Sequence, residues 1–591
     1  MVIQSKNRRY IAKEKGKEDE IVSNFVYRII ADTIHINPDY SSEHYYTIKG
    51  INEHGNRLPE ITISVQEYEQ MRWPAVRWGS NAVVLNKSIF SLKVREKVLT
   101  LSKYKIKQQT KYLFVGYVQN GKQTPFFVDN GGSISAKDHD ATVKSHLTGK
   151  LANYNLPAPI KDKEDIQDCI NEVLEMTELS PNNPFIGILC QTSVIRPFIS
   201  IFAPITSSNF LIGQTGSRKS ALGAVIQSFS GPTFSQQTQL PAEWEDTENA
   251  LEATSIIVRN STLVIDDLVP TAETIKPLVN KANRVFRGSA NQQARQRSNT
   301  NGSLQKGASP GASVLATGES INLPLADSLL NRIVFFSISK NDIDLDELTR
   351  YQKLGDEGVL AQFSSLLISY LLARYEGLKT WVPTGINSYR KRAREELENS
   401  VHPRVHENIA AIMVSTLVLY KFALSKKVIS KYEYDDLKEE LWQDLLKLAI
   451  KQRHIPNQTT LPNLVFKYLK KGLLNGLIHL TDYSSNDIPD VKNTGKLGWI
   501  DDEPQGLCIG WYDQKTKGVY IKTSHDVFSL LLKLIPKGFA QHAPREPKKF
   551  WKRMSSLDGL AAMEDGGNRV RKTNPETKES MTVYSLACRI I

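Results

Sequence analysis

The stretch that decides the fold is Asn209–Gly231, NFLIGQTGSRKSALGAVIQSFSG. It opens on the apolar run NFLI, which reads as a short strand, and continues into GQTGSRKS at Gly213 to Ser220. The segment ALGAVIQSF then keeps helical spacing until Gly231 stops it. Strand, Gly-containing loop, Lys-Ser and helix is the context of a phosphate-binding loop, in which loop amides and the positive end of the helix hold anionic oxygens. On this reading Gly213, Gln214, Thr215, Gly216, Ser217, Arg218, Lys219 and Ser220 line a nucleotide site. Lys219 reaches the terminal phosphates of ATP and the Ser220 hydroxyl ligates Mg²⁺. Arg218 stands where such loops usually carry Gly just before the Lys. Its side chain must therefore project away from the phosphates, on a backbone that tolerates the loop's conformation.

About fifty residues on, STLVIDDLVP at Ser261–Pro270 reads as a buried strand ending in two carboxylates. Asp266 is the candidate second metal ligand and Asp267 the group that polarises the attacking water; by itself the segment reads equally as a strand followed by a solvated turn. GASVLATGES is a further strand that ends in Thr317-Gly318-Glu319, and a polar residue at this tip is placed to touch the terminal phosphate or that water. In LADSLLNRIVFFSI, Arg332 lies between a helix and an apolar strand. It is read either as a surface ion-pairing residue or as a cation reaching a neighbouring subunit's site.

From Thr274 to Gly318 there is no Asp or Glu, while Lys276, Lys281, Arg284, Arg287, Arg295, Arg297 and Lys306 fall in the same stretch. Arg295, Arg297 and Lys306 flank the turn residues Asn299 to Gly302 and are candidate phosphate contacts without base specificity. A basic surface loop is the alternative. A second basic cluster comprises Arg545, Lys548, Lys549, Lys552 and Arg553 in a helix-like segment, then Arg569, Arg571 and Lys572 in a segment that reads as a β-hairpin. Helix on DNA and wing on phosphates is one reading, and a solvated face is the other.

The rest of the chain sets bounds. Its 591 residues exceed what one core supports, and the formal net charge of +12 is a mild bias toward a polyanionic partner. Cys169, Cys190, Cys508 and Cys588 are too scattered for a zinc site and fit free thiols in a reducing cytosol. The charged N-terminus lacks the apolar core of a secretory signal, and the apolar run Ile409–Tyr420 is too short to span a bilayer, so a cytoplasmic protein is expected. The expected organisation is multidomain α/β. It comprises a flexible lead-in (1–20), an N-terminal α+β domain (21–150) and a linker with a helix (151–183). A nucleotide-binding α/β core (184–340), a helical lid (341–455) and a C-terminal winged-helix-like region (456–591) follow.

The order of GQTGSRKSALGAVIQSFSG, PAEWEDTENALE, STLVIDDL, SVLATGE and SLLNRIVFF resembles the AAA+ core of self-loading, MCM-like helicases (Cch-type) of bacterial mobile genetic elements. The W-x-x-T-x-x-x-L run at Trp244–Leu251 is the most family-like piece, with no physical role evident from sequence. The resemblance implies a hexameric ring with ATP and Mg²⁺ at subunit interfaces, single- or double-stranded DNA in the channel and other replication proteins as partners. It implies Thr317 as first sensor and Arg332 as the finger; it also implies a lid arginine as second sensor, for which Arg404 competes with Arg390, Arg392 and Arg394. A nucleotide-switch adaptor that binds DNA without unwinding it is the rival expectation.

Overall fold

The computed structural model describes residues 2–591 except 104–105, 120, 122, 271–273, 293–307, 320–322, 324, 399, 453–460, 492–493, 536–539, 541–542, 555–568 and 587–591. It is a mixed α/β, multidomain chain. At its centre lies a five-stranded parallel sheet in the order Ala242–Glu243, Thr262–Leu268, Ser313–Gly318, Ser208–Gly213, Ile333–Ile338. Parallel strands covered on both faces are apolar throughout. Accordingly Phe210, Leu211, Val264, Ile265, Leu315, Ala316 and Val334 to Phe336 are buried. Helices Pro184–Phe198, Lys219–Ser228 and Ile275–Asn291 pack against the sheet. Because every pair is parallel, all carboxyl ends lie on one edge, which is where open sheets of this kind bind ligands.

Five helices follow the sheet: Leu345–Asp356, Val359–Ala373, Tyr375–Leu397, Pro403–Ser425 and Lys431–Gln452. The last ends on the exposed ladder of the edge strand. Gln452 accepts from Phe335 N–H and donates to Phe335 C=O, both at 2.8 Å. A side-chain amide thus completes the pairing that an edge strand otherwise leaves open. Pro403–Ser425 runs 23 residues, longer than its apolar run alone implied. It and Pro184–Ile201 are long and apolar enough to cross a membrane by length and composition, yet 83% of each window is buried inside the protein.

The N-terminal region carries its own core. A four-stranded sheet, Arg57–Ser64, Ser42–Asn52, Phe25–Ile36, Lys107–Tyr112, closes over Phe25, Tyr27, Trp73, Trp78 and Phe90. Residues 2–13, expected as a flexible lead-in, instead form two strands, Val2–Lys6 and Arg9–Lys13, paired with Glu20–Ser23. Ile3, Tyr10 and Ala12 are buried in that core, enough apolar contact to order a segment whose charge made it read as a solvated tail. The segment from Val115 to Leu156 packs on the central core rather than the N-terminal one, through Tyr117, Phe127 and Tyr154. Arg259 fastens the two: its guanidinium lies over the Tyr40 and Phe114 rings and donates to Pro38 C=O at 2.8 Å.

In the C-terminal region a five-stranded sheet runs Ile478–Asp482, Leu507–Asp513, Gly518–Lys522, Ser580–Leu586, Arg569–Thr573. Helices Leu461–Leu474, His525–Leu534 and Pro547–Met554 accompany it. The basic helix and the basic edge hairpin expected there are both present.

Candidate nucleotide site

Arg218 caps helix Lys219–Ser228 in the left-handed region, φ 66° and ψ 21°. A non-glycine residue there is strained by its Cβ, and Arg218 meets the condition by pointing its side chain into solvent. Gly213 admits no side chain, since a Cβ would meet Ser217 Oγ at 2.4 Å and Ile338 C=O at 2.5 Å. Gly216, at φ 83°, faces open space apart from Lys340 Cε at 3.8 Å. Gln214 and Thr215 are exposed on the loop between them.

Three strand tips converge beside this loop. Lys219 is buried, and its amine donates to Gly213 C=O at 2.8 Å and Gln214 C=O at 3.1 Å. Ser220 Oγ donates to Asp266 Oδ1 at 3.1 Å. Thr317 Oγ1 donates to the same carboxylate oxygen and accepts from Asp267 N–H at 3.1 Å. Asp267 itself takes φ 63° where the Thr262–Leu268 strand breaks register with Ser313–Gly318. Burial, then the neighbouring Asp266 charge, raise the Asp267 carboxyl above its ordinary value, with Glu319 and Glu245 adding to the effect and Lys219 opposing it.

Thr317 is fully buried, so its hydroxyl works on Asp266 rather than projecting past the strand tip. The exposed residue at that tip is Glu319, which accepts a hydrogen bond from Thr215 Oγ1. Sequence reading placed Glu319 at this tip without singling it out from Thr317. The signal was its place in Thr317-Gly318-Glu319, directly past the end of a buried strand.

The Trp244–Leu251 run also acquires a physical role. Trp244 is buried with its ring 5.7 Å from Phe286, and its backbone N–H donates to Asp266 C=O at 3.0 Å. Thr247 caps helix Glu248–Ile257 by accepting from Ala250 N–H, and Leu251 is buried. The run therefore braces the Thr262–Leu268 strand from the side. Two basic residues of the acid-free stretch serve it: Lys281 donates to Trp244 C=O at 2.8 Å, and Arg284 pairs with Glu248 at 2.8 Å.

Arg332 lies at the opposite edge of the sheet. It precedes Ile333, which pairs with Ser208, whereas the loop leaves from Gly213, paired with Ile338. Five residues at about 3.3 Å each separate the two edges by roughly 17 Å, beyond the reach of its side chain to its own loop. Burial and the like charges of Arg404 and Arg287 pull the Arg332 guanidinium below its ordinary pKa. Arg332 is held by Asn291 Oδ1 at 3.3 Å and Ser328 C=O. Arg404, at the start of helix Pro403–Ser425, thus belongs to the Arg332 edge and not to the loop edge of its own chain. Among the other lid arginines, Arg392 is spent on Glu396 and Glu439.

Of the expected DNA contacts, Arg295, Arg297 and Lys306 lie outside the described residues. Lys552 and Arg553 sit on helix Pro547–Met554 and Arg569 on the edge strand by backbone placement. Lys548 shares that helix, where Lys549 pairs with Glu546 at 2.8 Å, and Arg571 is exposed on the edge strand. The structure does not bring this cluster to the nucleotide loop.

No protein-family model matches the chain, and no curated protein matches it. Among solved structures, SCCmec type IV Cch, described as an active helicase, superposes with a TM-score of 0.55 at 14% identity, covering 99% of this chain and 96% of that one. An apo structure of the NrS-1 C-terminal region aligns far less closely, with a TM-score of 0.25 at 10% identity over 71% of this chain and 86% of its own. The chain therefore shares the fold of that Cch structure over nearly its whole length.

Proposed function

We propose that this chain is an ATP-hydrolysing DNA helicase or translocase of the AAA+ class, acting as a hexameric replication initiator-helicase of a mobile genetic element. The observation that carries the proposal is the convergence of Lys219, Ser220 and Asp266 at the carboxyl edge of a parallel sheet. The residues fit ATP and Mg²⁺. Ser217 Oγ is buried with no protein partner among the described residues, and the space over Gly216 is open. Bound ATP·Mg²⁺ supplies the reactive phosphoanhydride and a cation that neutralises its charge.

The chain's own groups do the rest. Loop amides from Gly213 to Arg218 and the start of helix Lys219–Ser228 hold phosphate oxygens. Lys219 exchanges its two carbonyl partners for phosphate. Ser220 and Asp266 hold the metal, and Thr317 keeps Asp266 in position. Asp267, beside Asp266 at the strand tip, is the group that would orient and polarise the attacking water. Arg332, with Arg404 and Arg287 beside it, completes the site of the adjoining subunit, because it cannot reach its own loop. Arg295, Arg297 and Lys306 line the DNA channel. Lys548, Lys549, Lys552, Arg553, Arg569 and Arg571 form a second DNA-binding surface on a winged-helix-like region.

A second reading, a nucleotide switch that binds DNA without unwinding it, is favoured by one observation: Asp267 is short, sits on a left-handed backbone and is crowded by like charges. ATP turnover measured with and without single-stranded DNA separates the two. Stimulation by DNA is expected; turnover indifferent to DNA favours the switch, and absence of turnover overturns the nucleotide-site assignment.

A further inference from the structure

The C-terminal sheet holds a nucleophilic cluster that nucleotide chemistry does not use. Cys508 opens the strand Leu507–Asp513, and His479 stands directly opposite it on the parallel neighbour Ile478–Asp482. The register shifts immediately after this pair, so that Leu480 faces Gly510. From the other side, Lys522 of the antiparallel strand places its ammonium 3.6 Å from Cys508 Sγ. Thr481 Oγ1 is 3.9 Å from the same sulfur. The His479 ring is oriented by its Nδ1, 2.9 Å from Gln505 C=O. A carbonyl only accepts, so Nδ1 carries the proton and Nε2 is the basic nitrogen. Two flanking strands thus deliver an imidazole, an ammonium and a hydroxyl to one partly buried thiol on the strand between them.

The other described thiols differ. Cys169 and Cys190 are buried, and burial pushes both above the ordinary thiol value, Cys169 to about 11. At Cys508 burial opposes ionisation too, but the His479 hydrogen bond and the Lys522 charge outweigh it and bring the thiol down to about 7. Burial likewise opposes a charged His479, and its bonds to Cys508 and Gln505 raise it nonetheless. Both shifts favour an ionised thiol beside a protonated imidazole.

We propose that Cys508 is a modification site: a reactive thiol that undergoes reversible S-thiolation by low-molecular-weight disulfides of the glutathione disulfide class, with His479 and Lys522 as its positioning residues. In the exchange, the Cys508 thiolate attacks one sulfur of the disulfide. A bond forms between the two sulfurs while the disulfide's own S–S bond breaks. Cys508 sulfur is oxidised, the departing sulfur is reduced, and the departing thiolate takes its proton from the His479 imidazolium. Lys522 stabilises the thiolate and attracts an anionic disulfide.

The test uses the full chain, native, with glutathione disulfide as the probe. Mixed disulfide is quantified cysteine by cysteine by peptide mass spectrometry across a pH series, which tracks Cys588 separately. Cys508 is expected to be modified while Cys169 and Cys190 stay free, with a rate midpoint near 7 in place of the ordinary thiol value of about 8.5. His479→Gln shifts that midpoint upward by more than about one pH unit, and Lys522→Met shifts it by less. A wild-type midpoint at the ordinary thiol value overturns the proposal, as does modification of Cys508 only after unfolding in urea. The wild-type profile decides even if a variant fails to fold.

Discussion

Thr317→Val removes one hydroxyl and almost no volume. In the wild type that hydroxyl donates to Asp266 Oδ1 and accepts from Asp267 N–H at 3.1 Å, at a fully buried position. A hydrogen bond to a charged group contributes roughly 1.5–3 kcal/mol, and a buried amide left without an acceptor costs roughly 1–3 kcal/mol. Only the first loss falls on the metal-holding carboxylate. Taking it as about 2 kcal/mol, turnover drops by about 30-fold at saturating ATP and Mg²⁺. The second loss falls on folding, and about 2 kcal/mol in a domain of this size lowers the melting temperature by about 4–8 °C. Steady-state phosphate release and a thermal melt read the two separately. Thr317→Ser, which keeps the hydroxyl, should stay within a few-fold of wild type in both. Turnover of the valine variant within threefold of wild type, or a serine variant as impaired as valine, refutes the reasoning.

Arg332→Ala should bind ATP without hydrolysing it, and mixing it with Lys219→Ala protein should restore part of the activity through mixed interfaces; no rescue between subunits shown to exchange excludes action on a neighbour. Asp267 keeps its proton to higher pH than an ordinary carboxylate, so turnover should be lost as pH falls through that raised value. Glu319→Gln removes one of the like charges and should move this acid limb to lower pH; a limb that stays put or rises contradicts the assignment. Arg218→Gly relieves a left-handed backbone that costs roughly 1 kcal/mol and should leave the protein equally or slightly more stable in a thermal melt, with turnover kept. A clear loss of stability would mean that the arginine side chain is needed where it lies.

The strand, loop and helix at Ser208–Ser228 were legible because local signals mark every boundary: an apolar run, glycines, a Lys-Ser pair and a closing Gly231. Asp266 and Ser220 were legible as members of one site because each closes a recognisable motif, and the structure joins them by a 3.1 Å hydrogen bond. The Trp244–Leu251 run was recognisable but mute, since its partners Phe286 and the Asp266 carbonyl are distant in sequence. Arg404 was legible only as far as its helix. Composition places it on a lid helix, but only tertiary packing decides which edge of the sheet that helix start meets. The first strands escaped notice because three buried residues, Ile3, Tyr10 and Ala12, are diluted among charges. The acid-free stretch read as a channel hairpin or a basic surface loop, yet Lys281 and Arg284 prove to hold the Trp244–Leu251 run.

The central claim is that ATP turnover drives movement along DNA, and strand separation of a fluorescent forked duplex tests it most directly. With ATP and Mg²⁺ the wild-type chain should unwind the fork, and Lys219→Ala should bind the fork without unwinding it. A wild-type chain that hydrolyses ATP and binds the fork yet never separates its strands would contradict the account.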